Sequence, residues 1–118
     1  MPLSPDAGYV EQVLALYRRT PSTSGHVRRA DRRLAAGLCS RRVPLATVQA
    51  ALLLATARRT SRSINAHPLA AIATLHYFLP VIEELLATPA DHDYLDYLRL
   101  RLAALAPALA APIHHQFP

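Results

Sequence analysis

Lysine is absent from this 118-residue chain, and all 13 of its basic residues are arginines. Glycine occurs only three times, and no segment alternates apolar and polar residues with the period of two that marks a strand. These absences argue against a β-sheet protein. Alanine and leucine dominate instead, and both favour helix. The sequence therefore predicts an all-α fold.

Cysteine occurs once, as Cys39, so no disulfide can form within the chain. The residue falls on a predicted helix, where we expect it to be a small buried apolar group rather than a nucleophile. A secretory signal is not recognisable, and the longest apolar run, 50–55, is far shorter than the roughly 20 residues of a membrane span. The expected setting is the reducing cytoplasm.

Prolines and caps divide the chain into predicted helices. We expect a single helical domain over 1–106 and a loosely ordered tail over 107–118. The expected fold is a compact bundle of five to six helices around a buried central helix at about 44–60, which is apolar nearly all round. A polar, flexible loop is expected at 20–25, and Pro80 should kink or break the fourth helix. The predicted helices are about 5–19, 27–40, 44–60, 68–86 and 91–106.

Charge is divided unevenly along the chain. Residues 1–62 hold 11 arginines and three acids, whereas residues 63–118 hold two arginines and five acids. Such asymmetry indicates a polyanionic partner, most often nucleic acid. The alternative is a solvated basic face, and the use of arginine in place of lysine is also what a GC-rich coding sequence produces.

The strongest local feature is a row of four arginines in the second helix. At 100° per residue they share an arc of about 140° away from the apolar side, and the planar guanidinium group suits phosphate. Asp31 falls on the apolar side, where it would cap the helix or pair with an arginine of another helix. The arginines at the end of the third helix would also suit its dipole without any ligand. The candidate nucleic-acid-binding residues are Arg28, Arg29, Arg32, Arg33, Arg41, Arg42, Arg58, Arg59 and Arg62.

A DNA-reading helix-turn-helix is a weaker alternative for helices two and three. Buried positions and a short turn match the motif. The third helix, however, offers only Thr47, Gln49 and Thr56 as polar side chains, which is a poor surface for reading base edges.

The other chemically suggestive groups favour plain structural roles. The adjacent His114 and His115 lack further ligands at metal spacing, and Asp91-His92-Asp93 sits where a helix start favours acids. Glu83 and Glu84 have no second carboxylate at i+3 or i+4. We therefore expect no enzyme activity, no metal and no cofactor.

Four leucines form a narrow seam on the fifth helix with heptad-like spacing. The seam and the acidic second half suggest an alternative function as a protein–protein adaptor, a homodimer, or a small subunit of a nucleoprotein complex. The same seam could equally close an ordinary core. Its residues are Leu95, Leu98, Leu102 and Leu105.

A series of positions over 17–85, a little over half the chain, resembles the helical DnaD-like domains of bacterial and phage replication proteins. The matching pieces are Tyr17, Thr20-Pro21-Ser22, Asp31-x-x-Leu34-x-x-x-Leu38, Val43-Pro44-Leu45-x-x-Val48-x-x-Ala51-Leu52 and Tyr77-x-x-x-Val81. Where the family places a tryptophan, this chain has Glu84. The resemblance implies a helical domain that binds DNA without strong sequence preference and assists replication or helicase loading. The chain is also similar to small uncharacterised proteins of bacterial mobile elements.

Overall fold

The computed structural model describes residues 5–60, 69–89, 91–103 and 106–111 and confirms the all-α bundle. Within these ranges the secondary structure is helical, apart from one isolated bridge between Thr23 and Ile72. The helices are α1 (Pro5–Arg19), α2 (Arg29–Ser40), α3 (Leu45–Thr60), a 3-10 helix (Leu75–Phe78), α4 (Leu79–Ala87), α5 (His92–Leu102) and α6 (Pro107–Ala110).

Helix α3 is the central helix, as predicted. It packs against α1, α4, α5 and α6, and every residue from Val48 to Thr56 is buried. Leucines and alanines on all sides of this helix leave it no face for water, so the other helices surround it.

Helices α1 and α2 form an antiparallel hairpin. The Tyr9 hydroxyl, near the start of α1, donates a 2.8 Å hydrogen bond to the Val43 carbonyl just beyond α2. Farther along, Glu11 of α1 contacts Arg32 of α2. The end of α1 therefore lies beside the start of α2.

The loop between these helices makes backbone hydrogen bonds that its polar sequence did not predict. Ile72 donates its amide to the Ser22 carbonyl at 2.7 Å and accepts the Ser24 amide at 2.9 Å. Thr20 is buried and bonds back to the Leu16 carbonyl. A distant segment thus supplies backbone partners for this loop.

The same contact explains why the predicted fourth helix is shorter than expected. Residues 69–74 are not helical, since the backbone of Ile72 bonds to the loop instead of to its own turn. Thr74 then caps the 3-10 helix, and α4 follows directly. Pro80 lies in the first turn of α4, where its missing N–H is no loss. The helical run is divided at Phe78 and Leu79, which confirms the break predicted before Pro80.

The C-terminal segment differs from the predicted loose tail at Pro107–Ala110. These residues form α6, and Leu109 is fully buried. The buried Gln49 of α3 holds the segment by donating to the carbonyls of Leu109 (2.9 Å) and Ala111 (2.6 Å). Residues 112–118 lie outside the described part of the chain.

Helix α2 ends in a Schellman motif. The Val43 amide bonds to the Leu38 carbonyl and the Arg42 amide to the Cys39 carbonyl, both at 3.0 Å. Arg42 takes the left-handed position with a φ of 59°, where glycine is usual. One of the predicted binding arginines is thus held in a strained backbone conformation.

Across the described residues, the helices are too short or too polar to cross a membrane.

Candidate nucleic-acid interface

The candidate interface is built around Asp31, the one acid among the arginines of α2. Its side chain is fully buried. One carboxylate oxygen accepts the Arg28 amide at 2.9 Å, and the other accepts the Leu75 amide and the Thr74 hydroxyl, each at 2.9 Å. Asp31 therefore caps both α2 and the 3-10 helix, which decides between the two roles that the sequence left open.

The pKa of Asp31 reflects two opposed effects. Burial alone would raise the pKa of the carboxyl, because it disfavours the charged form. The hydrogen bonds from Arg28, Leu75 and Thr74 outweigh burial and hold the pKa below its ordinary value. The site is therefore a fixed carboxylate that locks the start of α2 to the segment before α4.

With Asp31 turned inward, the arginines at the start of α2 turn outward. Arg28, which immediately precedes α2, and Arg29 and Arg33 within it are exposed. Within the described ranges, none of these three side chains lies within salt-bridge distance of an acid. We call these residues, Arg28, Arg29 and Arg33, the open arginine cluster.

Three other predicted arginines have acidic partners. Arg32 lies 2.7 Å from Glu11, and Arg41 lies 2.6 Å from Glu83. We call Arg32, Arg41 and Arg58 the paired arginines.

Arg58 makes the most complete of these pairs. Its guanidinium donates to both carboxylate oxygens of Glu84, at 2.9 and 2.7 Å. The fork holds the pKa of Glu84 below its ordinary value, mainly through the hydrogen bond itself.

Two of the five acids in the second half of the sequence are therefore used to pair arginines of the first half. Glu83 and Glu84 lie on α4 against the carboxyl ends of α2 and α3, where they neutralise arginines of the first half. The fold thus partly neutralises the difference in charge between the two halves of the sequence.

The remaining predicted arginines fall elsewhere. Arg59 stacks over the Tyr77 ring, 5.6 Å from its centroid, and donates to the Ala70 carbonyl. Arg42 is exposed in the turn between α2 and α3. Arg62 lies outside the described residues.

Arg18, in the last turn of α1, is exposed but lies near an acid. The pKa of Glu11 is lowered mainly by the hydrogen bond from Arg32 and further by the charge of Arg18.

The helix-turn-helix alternative does not fit the orientation of α3. Gln49 and Thr56 are buried, and Thr47 is half-buried. Gln49 also accepts a 3.0 Å hydrogen bond from Arg99, so its amide is used inside the bundle. Helix α3 presents no row of polar side chains to a DNA groove.

The sequence correctly placed Asp91 at a helix start and Cys39 in a buried position. Asp91 caps α5 by accepting the Asp93 amide, and Cys39 is buried. Acidic, histidine and cysteine side chains form no metal-binding group in the described ranges. His114 and His115 lie outside those ranges.

The leucine seam of α5 faces the core. Leu98 and Leu102 are almost fully buried within the chain, and Leu95 is half-buried. Leu105 lies outside the described residues. These leucines close the bundle, and the exposed side of α5 is a different one.

Comparison with known proteins adds no relative. No protein-family model matches the chain, and no curated protein or solved structure matches it either. Most residues that carry the DnaD-like resemblance, among them Tyr17, Leu38 and Leu52, lie in the core. These positions report on helix packing.

Proposed function

We propose that this chain is a non-enzymatic nucleic-acid-binding accessory protein that contacts phosphates through the open arginine cluster. The observation that carries the proposal is the exposure of Arg28, Arg29 and Arg33 at the start of α2 without an acidic partner among the described residues. Phosphate backbones bind such guanidinium groups in bidentate fashion.

The position of the cluster on its helix strengthens this argument. Cations at the amino end of a helix are disfavoured by the helix dipole, which prefers anions there. A phosphate at this end would be attracted by the guanidinium groups and by the dipole together. The position of the cluster thus disfavours the stability of α2 and favours the binding of an anionic partner.

The absence of a polar reading face on α3 favours binding without sequence preference, since phosphate contacts carry no base information. The DnaD-like resemblance points the same way, toward DNA binding in replication or in a mobile element. The paired arginines are a smaller part of the proposed surface, because each would have to give up a carboxylate.

Fluorescence anisotropy with labelled single- and double-stranded DNA and RNA tests the proposal. We expect submicromolar binding that weakens steeply with salt. Two matched variants locate the surface: Arg29→Gln/Arg33→Gln and Arg41→Gln/Arg58→Gln each remove two charges from an overall +5. The first should weaken binding strongly and the second only slightly. Weak binding that is alike for all four nucleic acids, or equal effects of the two variants, would contradict the proposal.

A further inference from the structure

The outer face of α5 is exposed although much of it is apolar. Five side chains share this face, within an arc of about 120° at 100° per residue. Leu100 is 80% exposed, Tyr97 51% and Tyr94 44%. Single exposed apolar residues are common, but a row of them flanked by charges indicates an interaction surface. We call Asp93, Tyr94, Tyr97, Leu100 and Arg101 the outer α5 face.

The spacing of this face is symmetric about Tyr97. Asp93 and Arg101 each lie four residues from Tyr97, and Tyr94 and Leu100 each lie three residues from it. If two such helices pair antiparallel at Tyr97, the Asp93 of each copy comes level with the Arg101 of the other. Tyr94 comes level with Leu100 in the same way. This is the self-complementarity that a two-fold interface requires.

Three side chains of the outer α5 face contact one another within the single chain. The Tyr94 and Tyr97 rings stack with centroids 6.3 Å apart, and Arg101 donates a 2.9 Å hydrogen bond to the Tyr97 hydroxyl. Side chains fixed before association lose less entropy when a partner binds.

An adjoining groove extends the apolar surface toward α6. It is lined by Leu100, Ala103, Pro107, Ala110 and Ala111, with Asp96 and Arg99 at its side. Leu100 stands between this groove and Tyr97, so a second copy would cover both. The three acids around α5, Asp91, Asp93 and Asp96, outnumber its two arginines, which disfavours a nucleic acid at this place.

We propose that two copies of this chain form an antiparallel two-fold dimer through the outer α5 face. The pairing uses the side of α5 opposite to the buried leucine seam and is independent of the open arginine cluster. The dimer therefore carries two open arginine clusters.

The mass of the full chain in solution is the first test. Light scattering or sedimentation equilibrium should give twice the 12.9 kDa of one chain at high micromolar concentration. Leu100→Glu should give the monomer mass with unchanged helicity. Leu69→Glu alters another exposed leucine, away from α5, and should leave the dimer intact. A native monomer, or a dimer that survives Leu100→Glu, would overturn the proposal.

A charge exchange tests the pairing itself. Asp93→Arg and Arg101→Asp each place like charges across the two-fold axis, so each should raise the dimer dissociation constant about tenfold or more. An equal mixture of the two variants restores both attractive pairs and should dimerise again. A mixture that dimerises as weakly as its components would contradict this pairing. It would mean that the copies associate through a different surface, or that a partner other than a second copy binds this face.

Discussion

The open arginine cluster and the paired arginines come from the same basic half of the sequence, yet they have different surroundings. At the start of α2, Asp31 is buried and bonded to amide and hydroxyl donors. Glu11 of α1 contacts Arg32 there, and the open arginine cluster has no acid within salt-bridge distance among the described residues. At the ends of α2 and α3, glutamates of α4 face Arg41 and Arg58 directly. A run of like charges therefore predicts a binding surface only where the fold brings no opposite charge to it.

The largest loss of stability is expected from Asp31→Ala, which removes the cap at the start of α2. This change leaves two amides and a hydroxyl without the Asp31 acceptor, in a buried or partly buried setting. We expect the free energy of unfolding to fall by about 3 kcal/mol. Urea denaturation measures it, with Glu11→Ala as the exposed control, which should leave the midpoint nearly unchanged. Equal midpoints for the native chain and Asp31→Ala would refute the capping role.

The same carboxylate predicts a pH dependence. Because the folded pKa of Asp31 lies below its ordinary value of 3.8, its contribution to stability is complete above that value. The contribution is lost as the pH falls through the folded pKa. The stability difference between the native chain and Asp31→Asn should therefore shrink on acidification below about pH 4. A difference that grows there would have the wrong sign.

Replacement of a second buried polar group, Gln49 on the α5 side of the core, should cause a smaller loss of stability. Gln49→Ala removes the donor to Leu109 and Ala111 and the acceptor for Arg99. We expect a loss of about 2 kcal/mol in the free energy of unfolding. Hydrogen exchange should show that the amide of Ala110, which bonds to the Ala106 carbonyl, exchanges faster. Unchanged protection there would mean that packing of Leu109 alone holds α6.

The turn after α2 offers a stabilising change. Arg42→Gly relieves a left-handed arginine and should raise the free energy of unfolding by about 1 kcal/mol. Thermal denaturation measures the gain. Arg41→Gly, at the neighbouring residue with ordinary helical φ, should destabilise instead. A loss of stability in Arg42→Gly would show that the side-chain contacts of Arg42 outweigh the strain.

The smallest change in stability is expected from Glu84→Gln, which converts a paired arginine into an open one. The pair is exposed to solvent, so the unfolding midpoint should hardly move. Nucleic-acid affinity should rise, because Arg58 becomes available to phosphate. An unchanged affinity would confine the binding surface to the start of α2.

The helices were predictable because periodicity and proline positions are local signals. The approximate bounds of α1, α2 and α3, the burial of α3 and the start of α5 near Asp91 all follow from such signals. The non-helical stretch before Leu75 was not predictable, since its cause is a backbone contact between Ile72 and the distant loop after α1.

The division of the arginines into open and paired ones could not be predicted from the sequence either. It depends on α4 lying against the ends of α2 and α3, which is a tertiary arrangement. A polar residue in an apolar helix, Gln49, was visible in the sequence. Its partners in α6 were not, because they lie 60 or more residues away.

The salt dependence of nucleic-acid binding tests the central claim most directly. The slope of log affinity against log salt counts the phosphates neutralised, at about 0.9 per contact on duplex DNA. Arg29→Gln/Arg33→Gln should reduce the magnitude of that slope by about 2, whereas Arg41→Gln/Arg58→Gln should leave it nearly unchanged. Equal slopes for the native chain and the Arg29/Arg33 variant would contradict the assignment of phosphate binding to the open arginine cluster.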